Sequence, residues 1–435
     1  MTTVTYPDLA AGPRGWWSAL SRSRQIACIF AGAFIVLSLA RAISGEDDLT
    51  SEFTITNTIA LTLPILLAGL GGLLSERAGV FNIGLEGMMI AGTWGAGFFG
   101  YHFGPWGALV GGAFSGAVGG LLHAVATVSF GVDHVISGTA INLLSFGWAR
   151  FLSASLFKGR GSGSETNSPG FNTTEGMPTL RVPGFDDKGW LARLEFKHWP
   201  VISDVAGVSR GLLGEWKLYQ LVAVVMVPLV GWLVWRTKFG LRLRSSGEKP
   251  SAADSLGVNV VRIRYIAVVA SGALAGLGGS LLVLRNNGAY SEAQTNNRGY
   301  LGLASLIFGN WKPSGVLGGA TLFGFLDTLQ LTASSAVRGI YLIAAVGCVV
   351  GAFVFVRRKN TRRAGALGAV AAALIVFYVS GVKMNEDLVK TLPYVGTLLV
   401  LAVFSRRLRP ASRWGSAVAQ GRHHLTFDPG RALHT

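Results

Sequence analysis

GMMIAGTWGAGFFGYHFGPWGALVGGAFSGAVGGLLHAVATVSFGV, residues 87–132, contains no Asp, Glu, Lys or Arg. One bilayer crossing needs only ~20 apolar residues, so this stretch holds two. The rest of the chain has the same character: of 435 residues, 50% are hydrophobic and 14% charged, against ~25% charged in an ordinary soluble domain. Water-soluble single-domain readings are excluded. The 60 glycines lie inside apolar runs, with neither a collagen period nor a linker composition. Small residues in such runs let membrane helices approach closely.

Apolar runs between charges predict spans near 25–44, 53–74, 80–101, 105–130, 134–157, 218–235, 265–284, 314–333, 337–356, 365–382 and 389–404. A shorter piece, 300–309, has the length of a re-entrant or broken helix; if it crosses, the passages number twelve and both ends share a side. The first twenty residues lack a cationic start followed by an apolar core, so the run near 25–44 is expected to be a retained helix rather than a signal peptide. Cys28 and Cys348 are far apart in sequence, each inside an apolar run, and support no disulfide framework.

Charge orients the bundle. The segment 236–264 is net +5, the run RRKNTRR (357–363) is +5, and the tail from 405 has six Arg against Asp428. The turn 41–52 is net −3. The positive-inside rule puts the three basic segments in the cytoplasm and the acidic turn outside. Twelve passages with both termini cytoplasmic satisfy all four assignments. The net charge of +16 is then largely topology, and nucleic acid loses its main support as a partner.

The expected organisation is a cytoplasmic segment 1–24, spans over 25–157, an extracytoplasmic insert 158–217, spans over 218–356 containing the cytoplasmic loop 236–264, additional spans over 357–404, and a basic tail 405–435. The insert opens on GRGSGSETNSPG, a flexible composition, and reads as a loop with short helices or a small cap with an amphipathic piece at the membrane surface. PWGALVGGAFSG (105–116) resembles PSGVLGGATLFG (313–324), and on this topology the two copies run in opposite directions. Oppositely oriented repeats recur in transporters, with the pathway at their interface.

No Gly-Lys dipeptide occurs, so there is no Walker A loop, and no His-Glu-x-x-His occurs. Neither an ATPase nor a zinc enzyme of that type is encoded. In 239–265, Pro250 suits a first helical turn, Ser251–Leu256 can continue it, and Gly257 can end it. The expected product is a short exposed helix, which spacing alone reads first as an ordinary loop turn and second as a knuckle for a soluble partner's groove. Within the spans, Glu86 has Asn82 four residues earlier, on the same face if both are helical. An intramembrane carboxylate is a functional candidate, or else a brace for a broken helix. Asp327 could meet a hydroxyl-bearing solute or pair with Arg338, and Asn142 and Ser145 could do the former or bond between helices. Asp133 and His134 read as a helix cap, and Trp94, Trp106 and Trp148 as stacking platforms or interface anchors.

LLAGLGGLLSERAGVFNIGLEGMMIAGTWGA (66–96), FGLRLRSSGEKPSAADSLGV (239–258) and GYLGLASLIFGNWKPSGVLGGATLFG (299–324) resemble, in order, the permease subunits of ABC importers for nucleosides. Relatives in this group move simple sugars and branched-chain amino acids. The resemblance, from about 53 to 356, implies an all-α, polytopic, inverted-repeat type II importer permease of about 10–12 transmembrane helices, in the plasma (inner) membrane of a prokaryote. It implies no catalytic residue, metal or cofactor in this chain, ATP and Mg being bound by cytoplasmic ATPase subunits. The other implied partners are a second permease, an extracytoplasmic substrate-binding lipoprotein and the solute. On the same resemblance Glu248, Pro250, Ala252, Ala253, Asp254 and Gly257 dock the ATPase, while Asn82, Glu86, Asn142 and Asp327 are candidates for pathway or gating. The insert, the spans after 364 and the tail lie outside it. The rivals are a sugar or branched-chain amino acid permease, an ion-coupled secondary transporter using Glu86 and Asp327, and a membrane enzyme or scaffold working through 158–217.

Overall fold

The computed structural model describes residues 21–45, 47–174, 176–185, 189–331, 336–357, 360–380 and 391. Among them the chain is almost wholly helical and divides into two units. The expected span 389–404, the tail from 405 and the first twenty residues lie outside the described residues.

The larger unit takes in 56–181 and 215–328. Its centre is formed by α2 (Glu52–Arg77), α3 (Leu85–Ala124) and α10 (Val260–Arg285). Pro64 sits within α2, and the leucines around it, Leu61, Leu63, Leu66, Leu67 and Leu70, are fully buried. A helix apolar on all sides belongs in the middle of a bundle. α3 breaks at Gly104, whose φ of 70° and ψ of −164° suit glycine alone, and Pro105 restarts it. The two arms fold back antiparallel, Gly95 against Ser115 and Gly119 against Met88.

Glycine spacing sets how near these helices come. A Cβ at Gly116 would lie 2.6 Å from the Cα of Gly276, and one at Gly120 would lie 2.6 Å from the carbonyl oxygen of Val268. The second arm of α3 and the middle of α10 thus meet backbone to backbone, which only small residues permit. A π-helical turn, Val125–Ser129, follows this arm, and α4 (His134–Leu156) then begins with Asp133 as its cap, whose Oδ1 accepts from the amides of Val135 at 2.8 Å and Ile136 at 3.2 Å. On α4, Ile136, Leu143 and Leu144 are exposed, as expected of a helix facing lipid.

Six described helical segments are long and apolar enough to cross a bilayer: Glu52–Arg77, Leu85–Ser129 (counted once despite its break), His134–Leu156, Leu218–Arg236, Val260–Arg285 and Thr361–Val379. α7 (Leu218–Arg236) leads into two further helices, α8 (Lys238–Glu248) and α9 (Pro250–Ser255). The expectation for 236–264 was one short helix; α8 is additional, started by Thr237, whose Oγ1 accepts from Gly240 N at 3.0 Å. After α10 come α11 (Arg298–Phe308) and α12 (Pro313–Leu331). The repeat copies run in opposite directions: the arm from Pro105 is antiparallel to α10, whereas α12 starts where α10 starts.

At one end of this unit gather Arg77, Ala78, α8, α9, the start of α10 and Trp311. At the other lie the Gly104 break and the opening of the insert. There Ser168 N donates to Tyr290 O at 3.0 Å, and Glu292 N donates to Thr166 O at 2.8 Å. Despite its flexible composition this opening is fastened. Lys158 also lies 2.6 Å from Glu165, and its hydrogen bond and charge hold that carboxyl below the usual range. A two-stranded antiparallel sheet, β1 (Thr179–Arg181) with β2 (Glu215–Lys217), pairs Leu180 with Trp216.

The smaller unit takes in the described residues up to 55, 182–214 and those after 328. It contains α1 (Arg22–Ser44), a 3-10 turn at Asp47–Thr50, α5 (Trp190–Glu195), α6 (Ile202–Leu213), α13 (Ala336–Arg357) and α14 (Thr361–Val379). α13 packs on both α14 and α1.

Candidate functional site: a broken helix and the turn that holds it

α11 has eleven residues and so spans about 16 Å, half the ~30 Å of bilayer hydrocarbon. The short piece foreseen at 300–309 is therefore a half-helix. The segment before it, 286–297, is irregular, with left-handed backbone at Asn287, Gly288, Ala293, Asn296 and Asn297. Three are Asn, the non-glycine residue that best tolerates that region. Irregular backbone at membrane depth is tolerated where protein or a water-filled cavity surrounds it.

The half-helix begins against Glu86. This side chain is 1% exposed, and its Oε2 accepts from the amide of Gly299 at 2.7 Å. A Cβ on Gly299 would lie 2.5 Å from Glu86 Cα, so the approach requires glycine. Glu86 also stands in the first turn of its own helix. One carboxylate thus serves two helix N-termini, both of which favour negative charge. Arg298 donates to Asp327 Oδ2 from Nε at 2.9 Å and from Nη2 at 2.5 Å, and from Nη1 to the carbonyl of Gln294 at 3.1 Å. The Asp327 carboxylate is thus engaged by Arg298, a residue the sequence reading passed over; the Arg338 side chain lies outside what is described.

Asn142 joins three elements. Its Oδ1 accepts from Gly87 N at 2.7 Å, and its Nδ2 donates to Ile83 O at 3.0 Å and to Tyr300 Oη at 2.8 Å. Asn82 is not on the helix with Glu86, because α3 starts at Leu85 and the turn 78–84 precedes it. The four-residue face expected for that pair does not exist. Asn82 instead donates to Ser271 Oγ at 3.0 Å and to Met88 Sδ at 3.4 Å. The structure therefore brings Glu86, Asn142 and Asp327 to one broken helix and sets Asn82 against α10. Asn296, just before the half-helix, and Tyr300, in its first turn, are exposed residues. Neither was foreseen; the signal was Asn296-Asn297-Arg298-Gly299, a polar run directly before an apolar piece too short to cross.

Ser75, Glu76 and Arg77 are the last turn of α2, and the first two are buried. Trp311, just past the half-helix, donates from Nε1 to Glu76 Oε2 at 2.5 Å, while Arg77 Nη2 donates to the carbonyl of Trp311 at 3.0 Å. Arg77 also lies over the Trp235 ring, 5.5 Å from its centroid. On the other side of the same turn Arg264 donates to the carbonyls of Ala78 and Ser246, and Gly247 lies so close to Arg77 that a Cβ could not fit. The turn after α2 therefore touches both α8 and the far end of the half-helix.

α9 takes the form its sequence predicts: Pro250 at the first position, and Gly257 after it with φ of 79°. Glu248, Ala252 and Asp254 are exposed, Leu256 is the most exposed large apolar residue at 84%, Pro250 is half-buried, and Ala253 is buried and anchors the helix. Pro250, Asp254, Gly257 and Val261 line an open concavity beside it. Trp94 is buried, stacked on Phe98 with its Nε1 bonded to Ser153 Oγ at 3.2 Å, so it is a packing residue; Trp106 is half-exposed and bonded to Gly176 O.

Residues 54–356 match the family described as branched-chain amino acid transport system / permease component. The chain is 35% identical over 285 residues to the guanosine ABC transporter permease protein NupQ of Bacillus subtilis, covering 64% of this chain and 81% of that protein. It is 32% identical over 290 residues to the nucleoside ABC transporter permease protein NupC of Lactococcus lactis, covering 65% and 83%. The putative glucose ABC transporter permease protein TsgC13 of Haloferax volcanii is 31% identical over 352 residues, covering 79% of this chain and 89% of that protein. No solved structure matches. A bundle with a half-helix at its centre, matched to that family over most of its length, is a multi-pass membrane permease, and the chain belongs to the branched-chain amino acid transport system permease family.

Proposed function

We propose that this chain is one membrane-spanning half of an ATP-driven importer for nucleosides. A second permease completes the pathway, an extracytoplasmic lipoprotein delivers the solute, and cytoplasmic ATPase subunits dock on α9. In this reading both termini and 236–264 face the cytoplasm. The observation that carries the coupling is mechanical: α8 and the half-helix α11 both meet the end of α2, residues 76–78, so a push on α8 and α9 reaches the broken helix through Arg77, Glu76 and Trp311. Nucleosides are favoured over sugars because the relatives named for guanosine and for nucleosides, at 35% and 32% identity, are more alike than those named for glucose, at 31% and 26%, although the 31% match covers more of both chains.

Glu248, Pro250, Ala252, Ala253, Asp254 and Gly257 shape and present the docking helix. Glu86, Asn142 and Asp327 hold the half-helix, with Asn296 and Tyr300 facing the solute, and Asn82 braces the turn before α3. Contacts to the solute are expected to be polar and weak, since a pathway must release what it admits. The test is uptake of radiolabelled guanosine by vesicles holding the permease with its ATPase and binding protein. Uptake should need ATP and be displaced by other nucleosides; displacement by glucose alone would move the assignment to sugars. Guanosine uptake by the permease alone, driven by an ion gradient, would make it a secondary transporter.

A further inference from the structure

The part of the insert that belongs to the smaller unit, 182–214, is built inside out for a domain in water. α6 buries Ser203, Asp204, Gly207 and Arg210 and leaves Ile202, Val205 and Leu213 50%, 52% and 49% exposed. A water-facing helix shows the reverse order. Its inward polar groups are fully engaged. Asp204 takes Arg41 Nε at 3.0 Å, the amide of Val201 at 3.0 Å, and the hydroxyls of Ser38 and Thr50. Arg210 lies between Glu52, at 2.5 Å, and Glu195.

The preceding segment adds Trp190, Phe196 and Trp199, exposed by 64%, 70% and 50%. Two exposed cations accompany these rings, Arg193 and Lys197, and Lys197 Nζ is 4.8 Å from the ring centroid of Trp199. The apolar surface continues onto α1, where Leu39 and Ile43, on either side of Arg41, are 49% and 63% exposed.

The geometry points to a bilayer-embedded surface: α5 and α6 lie in the membrane interface, with Ile202, Val205 and Leu213 among acyl chains and Arg193 and Lys197 at the headgroup phosphates. Polar groups turned to the protein and apolar groups turned outward is the arrangement lipid selects. Trp belongs at the boundary, and Arg and Lys beside it complement anionic headgroups. A protein partner would not require the patch to run on into the apolar flank of α1. The insert is then an added membrane anchor for the first helix, not an aqueous cap.

The test uses the full chain with Cys28 and Cys348 changed to Ser. Nitroxide labels are placed at Val205→Cys, Leu213→Cys, Lys197→Cys and, as an aqueous reference, Arg160→Cys, in vesicles of phosphatidylethanolamine and phosphatidylglycerol. Power saturation should show oxygen reaching 205 and 213 more readily than a water-soluble nickel chelate, the reverse at 160, and 197 at a shallower depth than 205. Greater access for the nickel chelate at 205 and 213 would overturn the proposal, placing the face in water. Exclusion of both reagents would also overturn it, placing the face against protein. Should either apolar-site variant fail to insert, Ile202→Cys supplies the same comparison.

Discussion

Glu86 answers the amide of Gly299 from a position in which its charge also faces the start of its own helix. Charge at a helix N-terminus contributes up to ~2 kcal/mol in partly buried geometry, while the hydrogen bond itself contributes about 1 kcal/mol. Glu86→Gln keeps an acceptor and loses the charge, so the protein should still insert, melt a few degrees lower in detergent, and import about tenfold more slowly, the factor that ~1.4 kcal/mol produces. Unchanged melting and unchanged uptake would together remove the assignment. Arg298 and Asp327 form a different kind of bond, because deleting one partner strands a buried charge. Arg298→Leu should cost about 3–5 kcal/mol, and adding Asp327→Leu should recover much of it. Thermal unfolding of the single and double variants measures the difference, and additive losses would contradict the pairing.

The helices of the larger unit owe their spacing to what their glycines lack. Gly116 and Gly276 approach each other across the α3–α10 seam, whereas Gly147 on α4 has nothing within 4 Å of the position a Cβ would take. Gly116→Val should therefore prevent folding or force the seam apart, read as loss of the monodisperse peak in detergent. Gly147→Ala should be neutral or stabilising by up to ~1 kcal/mol, since alanine is the better helix former. Equal behaviour of the two variants would show that the seam is not close-packed. The 3.6-residue period makes both positions look alike in sequence; only a neighbouring helix distinguishes them.

On the proposed function, work delivered at α9 must reach the half-helix. Glu248 and Asp254 are exposed, so the double variant Glu248→Ala/Asp254→Ala should insert as the parent does and melt close to it. It should fail to copurify the ATPase and lose most ATP-dependent uptake. Trp311→Phe keeps an aromatic ring, though a smaller one, and removes the hydrogen bond to Glu76; the ATPase should still bind, with hydrolysis continuing while uptake falls. Retained ATPase binding in the first variant, or retained coupling in the second, would count against the route through residues 76–78.

Helix type and position were legible because lipid imposes them: a backbone that finds no water must bond to itself, and an apolar run of sufficient length has no other solution. The spans ending at Arg77, Leu156 and Arg236, the cap at Asp133, and the knuckle from Pro250 to Gly257 follow from local chemistry that needs no distant contact. The opposite directions of the two Pro-Gly repeats follow from counting passages. The chain alone could not reveal that Glu86 meets Gly299, that Arg298 engages Asp327, or that Trp311 locks onto the end of α2. Each of these pairs residues far apart in sequence, and each rests on a half-helix whose start depends on a carboxylate supplied by another element. Composition made the opening of the insert, 158–168, look loose, and left the rest of it as a loop with short helices or a cap with an amphipathic piece. Folding fastened the first through Ser168 and Tyr290 and turned the second outside in around Asp204 and Arg210, because a buried ion takes its partners from wherever the tertiary structure brings them.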